Sequence, residues 1–401
     1  MVVQTRGSGT GPGSRSYLRR RNSLSVLECL WDAPLRTAEV VRFTGLSRTA
    51  AESVISDLVA LGWLIVEHPD ELEERGLGRP AVRYRVAHEL GRVAAVDIGA
   101  HHVSAAVADL SGRRIAQQTV AAEEFMSASE RADMAVRLLA ATIREANAQP
   151  CDLWCLTVGS PGVIHEGKVT HFGGGGMPGW SGYDIAKRFS QEAGCPIRVE
   201  GDSALGAIAE LWQGAATDTT EMVYLLSGVR TGAALVVDGK LHRGARGGAG
   251  LVGELPELRW SEIERERYGA GLFTSATDPS NLFELAQHGD GLAAARVDAF
   301  ARALALGAAA MVLAVDPEVL VIGGPTARYA DTFLDRFVDE LQRYCPLAPE
   351  VRASTLGSDA VLIGSVRMGL NMVHELLLDS VETAAAFPTP YTTRSDLVEF
   401  A

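Results

Sequence analysis

The sequence GRPAVRYRVAHELGRVAAVDIGAHHVSAAVADLSG, at residues 78–112, contains two different strand patterns in succession. Apolar and polar side chains alternate over residues 82–86, which predicts a half-buried strand. Residues 93–99 are nearly all apolar and predict a fully buried strand, with a partner strand at 103–109 after a short turn. One module therefore ends and another begins within this stretch, and we place the boundary between residues 90 and 91.

Length and charge also divide the chain. A chain of 401 residues is longer than one ordinary hydrophobic core supports, which indicates two or three domains. Residues 1–92 carry 13 Lys and Arg against 11 Asp and Glu, whereas the remainder carries 24 against 39. Contact with nucleic acid is therefore compatible with the first part of the chain and disfavoured for the strongly acidic remainder.

Compartment is indicated by three features. The five cysteines are scattered, so the sequence predicts free thiols in a reducing cytoplasm rather than a disulfide framework. The longest uncharged apolar run, residues 303–315, is shorter than the roughly 20 residues that a membrane span needs. Residues 1–16 lack the apolar core of a signal peptide. We therefore expect a cytoplasmic protein with no membrane contact.

The first module has the pattern of a winged helix-turn-helix. Residues 1–16 are rich in Gly and Ser and predict a disordered arm. Residues 17–90 then contain three helical patterns, the third capped by Ser47, followed by two short strand patterns at 64–66 and after Pro80. Three helices followed by a two-stranded wing are typical of the winged helix-turn-helix fold.

In that fold the third helix lies in the major groove and the wing approaches the DNA backbone or the minor groove. The predicted DNA-binding residues on the helix and the wing are Arg48, Thr49, Ser53, Arg79 and Arg83. The exposed helix face also contains Glu52 and only one arginine, which favours weak reading of base sequence by the helix itself. Winged helices also bind proteins, so a protein-interaction scaffold is an alternative.

The second module alternates strands and helices, which predicts an α/β domain over residues 91–380. Asp202 follows the strand pattern at 197–200 and begins a helix, where its side chain either faces a ligand or caps the helix. Residues 381–401, which include Pro388 and Pro390, predict a C-terminal tail.

Several blocks of the second module, taken in order, resemble the ROK family (repressor, open reading frame, kinase). These blocks are Asp97-Ile98-Gly99, Pro178-Gly179-Trp180, Glu200-Gly201-Asp202, Arg243-Gly244-Ala245 with Gly250 and Gly253, Ile322-Gly323-Gly324 and the stretch 354–361. With the winged helix in front, the chain is similar to the regulator branch of the family, which includes xylose and N-acetylglucosamine repressors.

The resemblance implies an actin/hexokinase-like domain of two lobes that closes on a sugar. It also implies repression, and a homodimer or homotetramer. The ligand-binding residues carried over from the family pattern are Gly179, Trp180, Asp202 and Glu254. Asp202 matches the position of the catalytic aspartate of the family kinases, which takes a proton from a sugar hydroxyl.

The chain departs from the kinase pattern at several of these positions. The first phosphate turn of the kinases carries Gly-Thr-Lys where this chain has Ala100-His101-His102, and Arg230 stands in the second turn. Leu251 and Glu254 replace the Glu and His of the family's Gly-Glu-x-Gly-His stretch, and residues 255–275 contain no cysteine for the family's zinc. We therefore predict no catalysis, no cofactor and no metal, with Asp202 a vestige.

The sequence thus predicts a DNA-binding transcriptional regulator of carbohydrate metabolism. Its partners are expected to be an operator in double-stranded DNA and a sugar or sugar derivative as effector. A sugar kinase with an N-terminal DNA-binding domain and a protein-interaction scaffold are the two alternatives.

Overall fold

The computed structural model of the chain describes residues 14–67, 82–173, 176–228, 230–258, 260, 282–384 and 386–390. These ranges contain a small N-terminal module and two lobes. Each lobe is built on a five-stranded sheet.

The N-terminal module combines three helices with a small antiparallel sheet. The helices are Arg15–Cys29 (α1), Thr37–Thr44 (α2) and Arg48–Ala60 (α3), and the strands are Leu35–Arg36 (β1), Leu64–Glu67 (β2) and Arg83–Val86 (β3), with β3 in the middle. Ser47 caps α3 as predicted, because its hydroxyl accepts a hydrogen bond from the N–H of Ala50 at 3.3 Å. The predicted DNA contact Arg79 lies outside the described residues.

The first lobe contains the buried strand pair that the sequence predicted. Its sheet has the order β10-β7-β4-β5-β6, formed by Arg92–Ile98 (β4), His102–Asp109 (β5), Arg114–Ala121 (β6), Leu153–Ser160 (β7) and Ile197–Gly201 (β10). β4 pairs antiparallel with β5 and parallel with β7. The remaining elements are the hairpin Val163–His165 (β8) and Lys168–His171 (β9) and the helices Ala128–Glu145 (α4) and Ile185–Ser190 (α5).

The second lobe repeats this plan with a mixed sheet of order β13-β12-β11-β14-β15. Its strands are Met222–Ser227 (β11), Thr231–Val237 (β12), Lys240–His242 (β13), Val319–Gly323 (β14) and Glu350–Ala353 (β15). Two helices, Asp202–Gln213 (α6) and Ala360–Thr383 (α10), pack on each other, and between them contact the sheets of both lobes. The outer helices are Leu282–Gln287 (α7), Gly291–Val315 (α8) and Leu334–Tyr344 (α9).

The N-terminal module and the first lobe share one hydrophobic core. Trp63 of the module and Trp154 of β7 are both buried, with ring centroids 5.8 Å apart. Arg20 of α1 is also buried, and its guanidinium donates two hydrogen bonds to the carbonyl of Val381 at the end of α10. The module is therefore packed against the lobe and not only tethered to it by the chain.

The predicted tail needs correction, because its first part is packed. α10 continues to Thr383, beyond the predicted boundary, and Phe387 is buried against Trp63. The indole N–H of Trp63 donates to the carbonyl of Pro388 at 2.6 Å, and that of Trp154 donates to the carbonyl of Pro390 at 3.1 Å. Indole groups of the N-terminal module and of the first lobe thus fix residues 386–390. Proline can take part because its carbonyl accepts hydrogen bonds although it has no N–H.

Within the described residues, two helical segments are long and apolar enough to cross a membrane by composition alone. They are Gly291–Val315 and Gly357–Thr383, and most of the apolar window of each is buried inside the protein. Helices with this burial form the cores of the two lobes, where an apolar surface on most sides is expected.

Candidate ligand cleft and nucleic-acid surface

A cleft of about 400 Å³ lies between the two lobes. Residues 161–164 and 171–173 line it from the first lobe, residues 230–234 line it from the second, and residues 200–204 lie at the end of β10 and the start of α6. Strand ends and the first turn of α6 therefore converge here, as they do in ligand sites of other α/β proteins.

Asp202 lines the cleft as the first residue of α6. Gly201 is the N-cap of this helix. The alternative prediction, that Asp202 is the cap, is therefore wrong by one residue. The Asp202 carboxylate accepts a hydrogen bond from the N–H of Ser203 at 2.7 Å. Burial raises the pKa of Asp202 to about 7, and the nearby Asp97 carboxylate adds to the increase, while Ser203 and Arg230 oppose it.

This raised pKa predicts a pH-dependent cost to stability. The unfolded chain loses the Asp202 proton near pH 4 and the folded chain near pH 7, so stability should fall as the pH rises between these values. We expect Asp202→Asn to match the wild-type free energy of unfolding at pH 4 and to exceed it at pH 8 by on the order of 3 kcal/mol. Urea unfolding at both pH values measures the difference.

Asp335→Asn is the matched control, since Asp335 is an exposed carboxylate in the first turn of α9. A gain for Asp202→Asn that is equal at pH 4 and pH 8 would contradict the assignment of this titration to Asp202.

The first phosphate turn of the family pattern is occupied by a histidine–aspartate pair. His102 Nε2 lies 3.0 Å from Asp97 Oδ2, and this hydrogen bond raises the pKa of His102 against the effect of burial. The ring lies directly over Gly99, where a β-carbon would come within 2.7 Å of it. The Asp97 carboxylate thus has an imidazole partner at the position where the kinase pattern has a lysine.

Arg131 fixes the same turn from the other side. This arginine of α4 has 0 % exposure, and its guanidinium donates to the carbonyls of Gly99 and Ala100 at 2.7 and 2.9 Å. It also donates to the carbonyls of Glu123 and Glu124 at 2.5 and 3.2 Å. Sequence reasoning did not find Arg131, because a charged residue in an amphipathic helix ordinarily lies on its solvated face.

Among the residues that the structure describes, three side-chain contacts cross the cleft from one lobe to the other. Glu200 at the end of β10 accepts a hydrogen bond from Arg243 Nε at 2.6 Å. His171 Nε2 at the end of β9 lies 3.0 Å from Glu254 Oε1. The Arg230 guanidinium lies over the ring of Phe172, 4.1 Å from its centroid.

The four predicted ligand-binding residues separate into two groups. Asp202 and Glu254 line the cleft, whereas Gly179 and Trp180 are not among the residues that line it. Trp180 is completely buried in the core of the first lobe, stacks on Tyr183 and donates its indole N–H to the hydroxyl of Ser160 at 3.1 Å. The Pro-Gly-Trp motif is therefore a packing feature here, which its sequence alone does not distinguish from a ligand loop.

The exposed face of α3 contains the predicted helix contacts. Arg48, Thr49 and Ser53 are exposed, and Arg83 is exposed on β3. Arg48 Nε donates to Glu52 Oε1 at 2.9 Å, one turn further along α3. Arg19 similarly pairs with Asp57. Acidic residues therefore pair with two arginines of this module, one of which, Arg48, the sequence predicted to contact DNA.

Metal-ligating groups do not cluster within the part of the chain that the structure describes, where no set of three His, Cys, Asp or Glu side chains could hold an ion.

Comparisons with known proteins agree with the fold. The sequence profile of the ROK family matches residues 93–257 and 265–370. A xylose repressor from Caldicellulosiruptor bescii is 21 % identical, with 89 % of this chain and 97 % of the relative covered.

Two solved structures show how far each likeness extends. The structure titled as a ROK family transcriptional regulator, a homologue of the E. coli MLC protein, has a TM-score of 0.68 and 16 % identity, and covers 91 % of this chain and 99 % of its own. A ROK hexokinase from Thermus thermophilus has a TM-score of 0.55 and 26 % identity, with 70 % of this chain and 99 % of its own covered. The family profile spans more than half of the chain, so the resemblance predicted from the sequence is confirmed and the chain belongs to the ROK family.

Proposed function

We propose that this protein is a cytoplasmic, DNA-binding transcriptional regulator that acts as a repressor of genes of carbohydrate metabolism. The observation that carries the proposal is the extent of the two structural likenesses. The regulator covers 91 % of the chain and the hexokinase 70 %, and only the larger share is wide enough to include the N-terminal module. The xylose repressor likewise aligns along nearly its whole length.

The N-terminal module is, in this proposal, a winged helix-turn-helix. Its α3 projects Arg48, Thr49 and Ser53 from a helix whose opposite face is buried, which suits insertion into the major groove. Arg83 on β3 belongs to the wing and would contact phosphates, as would Arg79. In a two-fold dimer, two such modules would bind half-sites of a palindromic operator.

The two-lobed domain is, in this proposal, a sensor without catalysis. The His102 imidazole and the buried Arg131 side chain are bonded to the turn where the family kinases approach phosphate. The His102 ring lies over Gly99 and would obstruct the approach of a phosphate to the backbone N–H groups of this turn. A sugar or sugar derivative in the cleft, near Asp202 and Glu254, would be the effector. No cofactor is part of this proposal.

Binding to random-sequence DNA tests the first half of the proposal. Full-length protein would be used to select duplexes from a random pool, and fluorescence anisotropy would then give the Kd for the selected duplex. We expect Arg48→Ala to weaken binding about 10-fold or more, because a bidentate arginine–guanine contact contributes about 1–3 kcal/mol of discrimination.

Arg302→Ala is the matched control. Arg302 also lies on an exposed helix face and pairs with an acidic residue one turn away, Asp298, but it is in α8 of the second lobe. Wild-type protein that selects no duplex at low salt would contradict DNA binding and favour the scaffold alternative. Equal effects of the two substitutions would contradict the role of Arg48.

A sugar kinase is the second candidate function, because Asp202 lines the cleft with a pKa of about 7, which suits a general base. The likeness to the Thermus hexokinase supports it as well. An ADP-release assay over a panel of hexoses decides between sensor and kinase. We expect no turnover above background, and turnover abolished by Asp202→Asn would establish the kinase instead.

A further inference from the structure

The two walls of the cleft are already joined by the protein's own side chains. The three cross-lobe contacts pair Glu200 with Arg243, His171 with Glu254, and Phe172 with Arg230. In each of them one partner lies at or just after a strand end of the first lobe, and the other lies in a loop or a short 3-10 helix of the second lobe. A contact of this kind must break if the lobes separate.

Glu200 is the most buried residue of the three contacts, although its partner Arg243 is 47 % exposed. The side chain of Glu200 is 11 % exposed, and its second oxygen accepts a hydrogen bond from the N–H of Gly201 at 3.1 Å. Both oxygens therefore have donors, one from each lobe. A carboxylate with this burial would lose a charged partner on opening, which costs more than breaking a pair at the surface.

Glycine residues allow the lobes to approach closely beside these contacts. A β-carbon at Gly173 in the first lobe would overlap the carboxylate of Glu254, and a β-carbon at Gly247 in the second lobe would overlap the backbone carbonyl of Ile164. The backbone at Ile164 can lie this close to the second lobe only because Gly247 has no side chain, whereas a β-carbon at Gly173 would displace the end of the flexible Glu254 side chain.

We propose that Glu200–Arg243, His171–Glu254 and Phe172–Arg230 form an interlobe latch that holds the cleft closed without a ligand. A salt bridge, a histidine–carboxylate contact and a cation–π contact thus join the two lobes through the protein's own side chains. An effector would then act by displacing latch side chains. The inference concerns the two lobes alone and does not depend on DNA binding by the N-terminal module.

Hydrogen–deuterium exchange of the full chain, followed by mass spectrometry, tests the latch. Arg243→Met with Glu254→Met removes the polar groups of two of the three contacts while keeping side chains of similar length. We expect amides in residues 161–173 and 243–254 to exchange about fivefold faster or more, because each lost pair favours local opening. Small-angle scattering should show a larger radius of gyration for the same variant.

Two controls make the result specific to the cleft. Arg188→Met breaks a pair with Asp133 that lies within the first lobe, at 2.8 Å, and should leave exchange in both cleft segments unchanged. Exchange in β4 and β5 reports whether the fold is intact. Cleft exchange in the double variant that equals that of Arg188→Met, with an unchanged radius of gyration, would overturn the proposal.

A steric variant covers the case in which the double variant fails to fold. Gly173→Ala places a methyl group where the Glu254 carboxylate lies, and should accelerate exchange in the same two segments. Gly248→Ala is its control, because a β-carbon there meets no neighbouring atom within 4 Å. Equal exchange in these two variants would also overturn the latch.

Discussion

Gly364→Ala is expected to lower the free energy of unfolding by about 4 kcal/mol or more, beyond the usual cost of an overpacked core. Gly364 lies in α10 where this helix crosses α6, and a β-carbon there would overlap the backbone carbonyl oxygen of Leu205. Its second and third neighbours are also backbone atoms of Leu205. Backbone cannot rotate away as a side chain does, so the helices must move apart.

The consequence should extend to the cleft, because Asp202 is the first residue of α6. We expect a lower Tm by thermal unfolding and faster amide exchange in residues 200–204 than in wild type. Gly291→Ala is the control: Gly291 begins α8, and a β-carbon there meets no atom within 4 Å. An unchanged Tm for Gly364→Ala would contradict the close packing of the two helices.

Arg131→Met is expected to have the second-largest effect, a loss of about 3 kcal/mol in the free energy of unfolding. The substitution keeps much of the apolar stem but leaves four backbone carbonyls without their charged donor. An unsatisfied buried polar group costs about 1–3 kcal/mol, and several in one network do not add fully. Urea unfolding measures the loss.

Two further variants in the same helix serve as controls for Arg131→Met. Arg137→Met changes an exposed residue of α4 and should change stability by less than about 0.5 kcal/mol. Arg131→Lys keeps the charge but lacks the planar fork, so it should recover only part of the loss. Equal stability of the lysine variant and wild type would show that charge alone, without the fork geometry, fixes the turn at Gly99.

The two largest effects and the latch concern one region of the molecule. Gly364 sets the position of α6, Arg131 holds the turn after β4, and the latch joins the walls on either side of Asp202. A sensor domain needs two arrangements whose energies differ by little, with a ligand that favours one of them. The latch provides one arrangement, and the α6–α10 crossing limits how the lobes can move apart.

The sequence alone determined the features that depend on local pattern. Alternating and continuous apolar runs located β3, β4 and β5, and Ser47 located the start of α3. The order of glycine-containing and acidic motifs indicated the family, and two of the ligand-binding residues that it implied, Asp202 and Glu254, line the cleft. The strands and helices follow from periodicities of 2 and 3.6 residues, which neighbouring residues encode, whereas the assignment of Asp202 and Glu254 to a ligand site is what the resemblance implied.

Only the tertiary structure decided which distant groups meet. Glu200 and Arg243 are 43 residues apart in sequence, and Trp63 and Pro388 are 325 residues apart. The sequence predicts an apolar environment for Trp180, but it does not tell whether that environment is a ligand site or the core. In the structure Trp180 is buried in the core. The same holds for Arg131, whose partners are backbone carbonyls that no residue type reveals. Such pairings are fixed by how helices and sheets pack, and packing is a property of the whole chain.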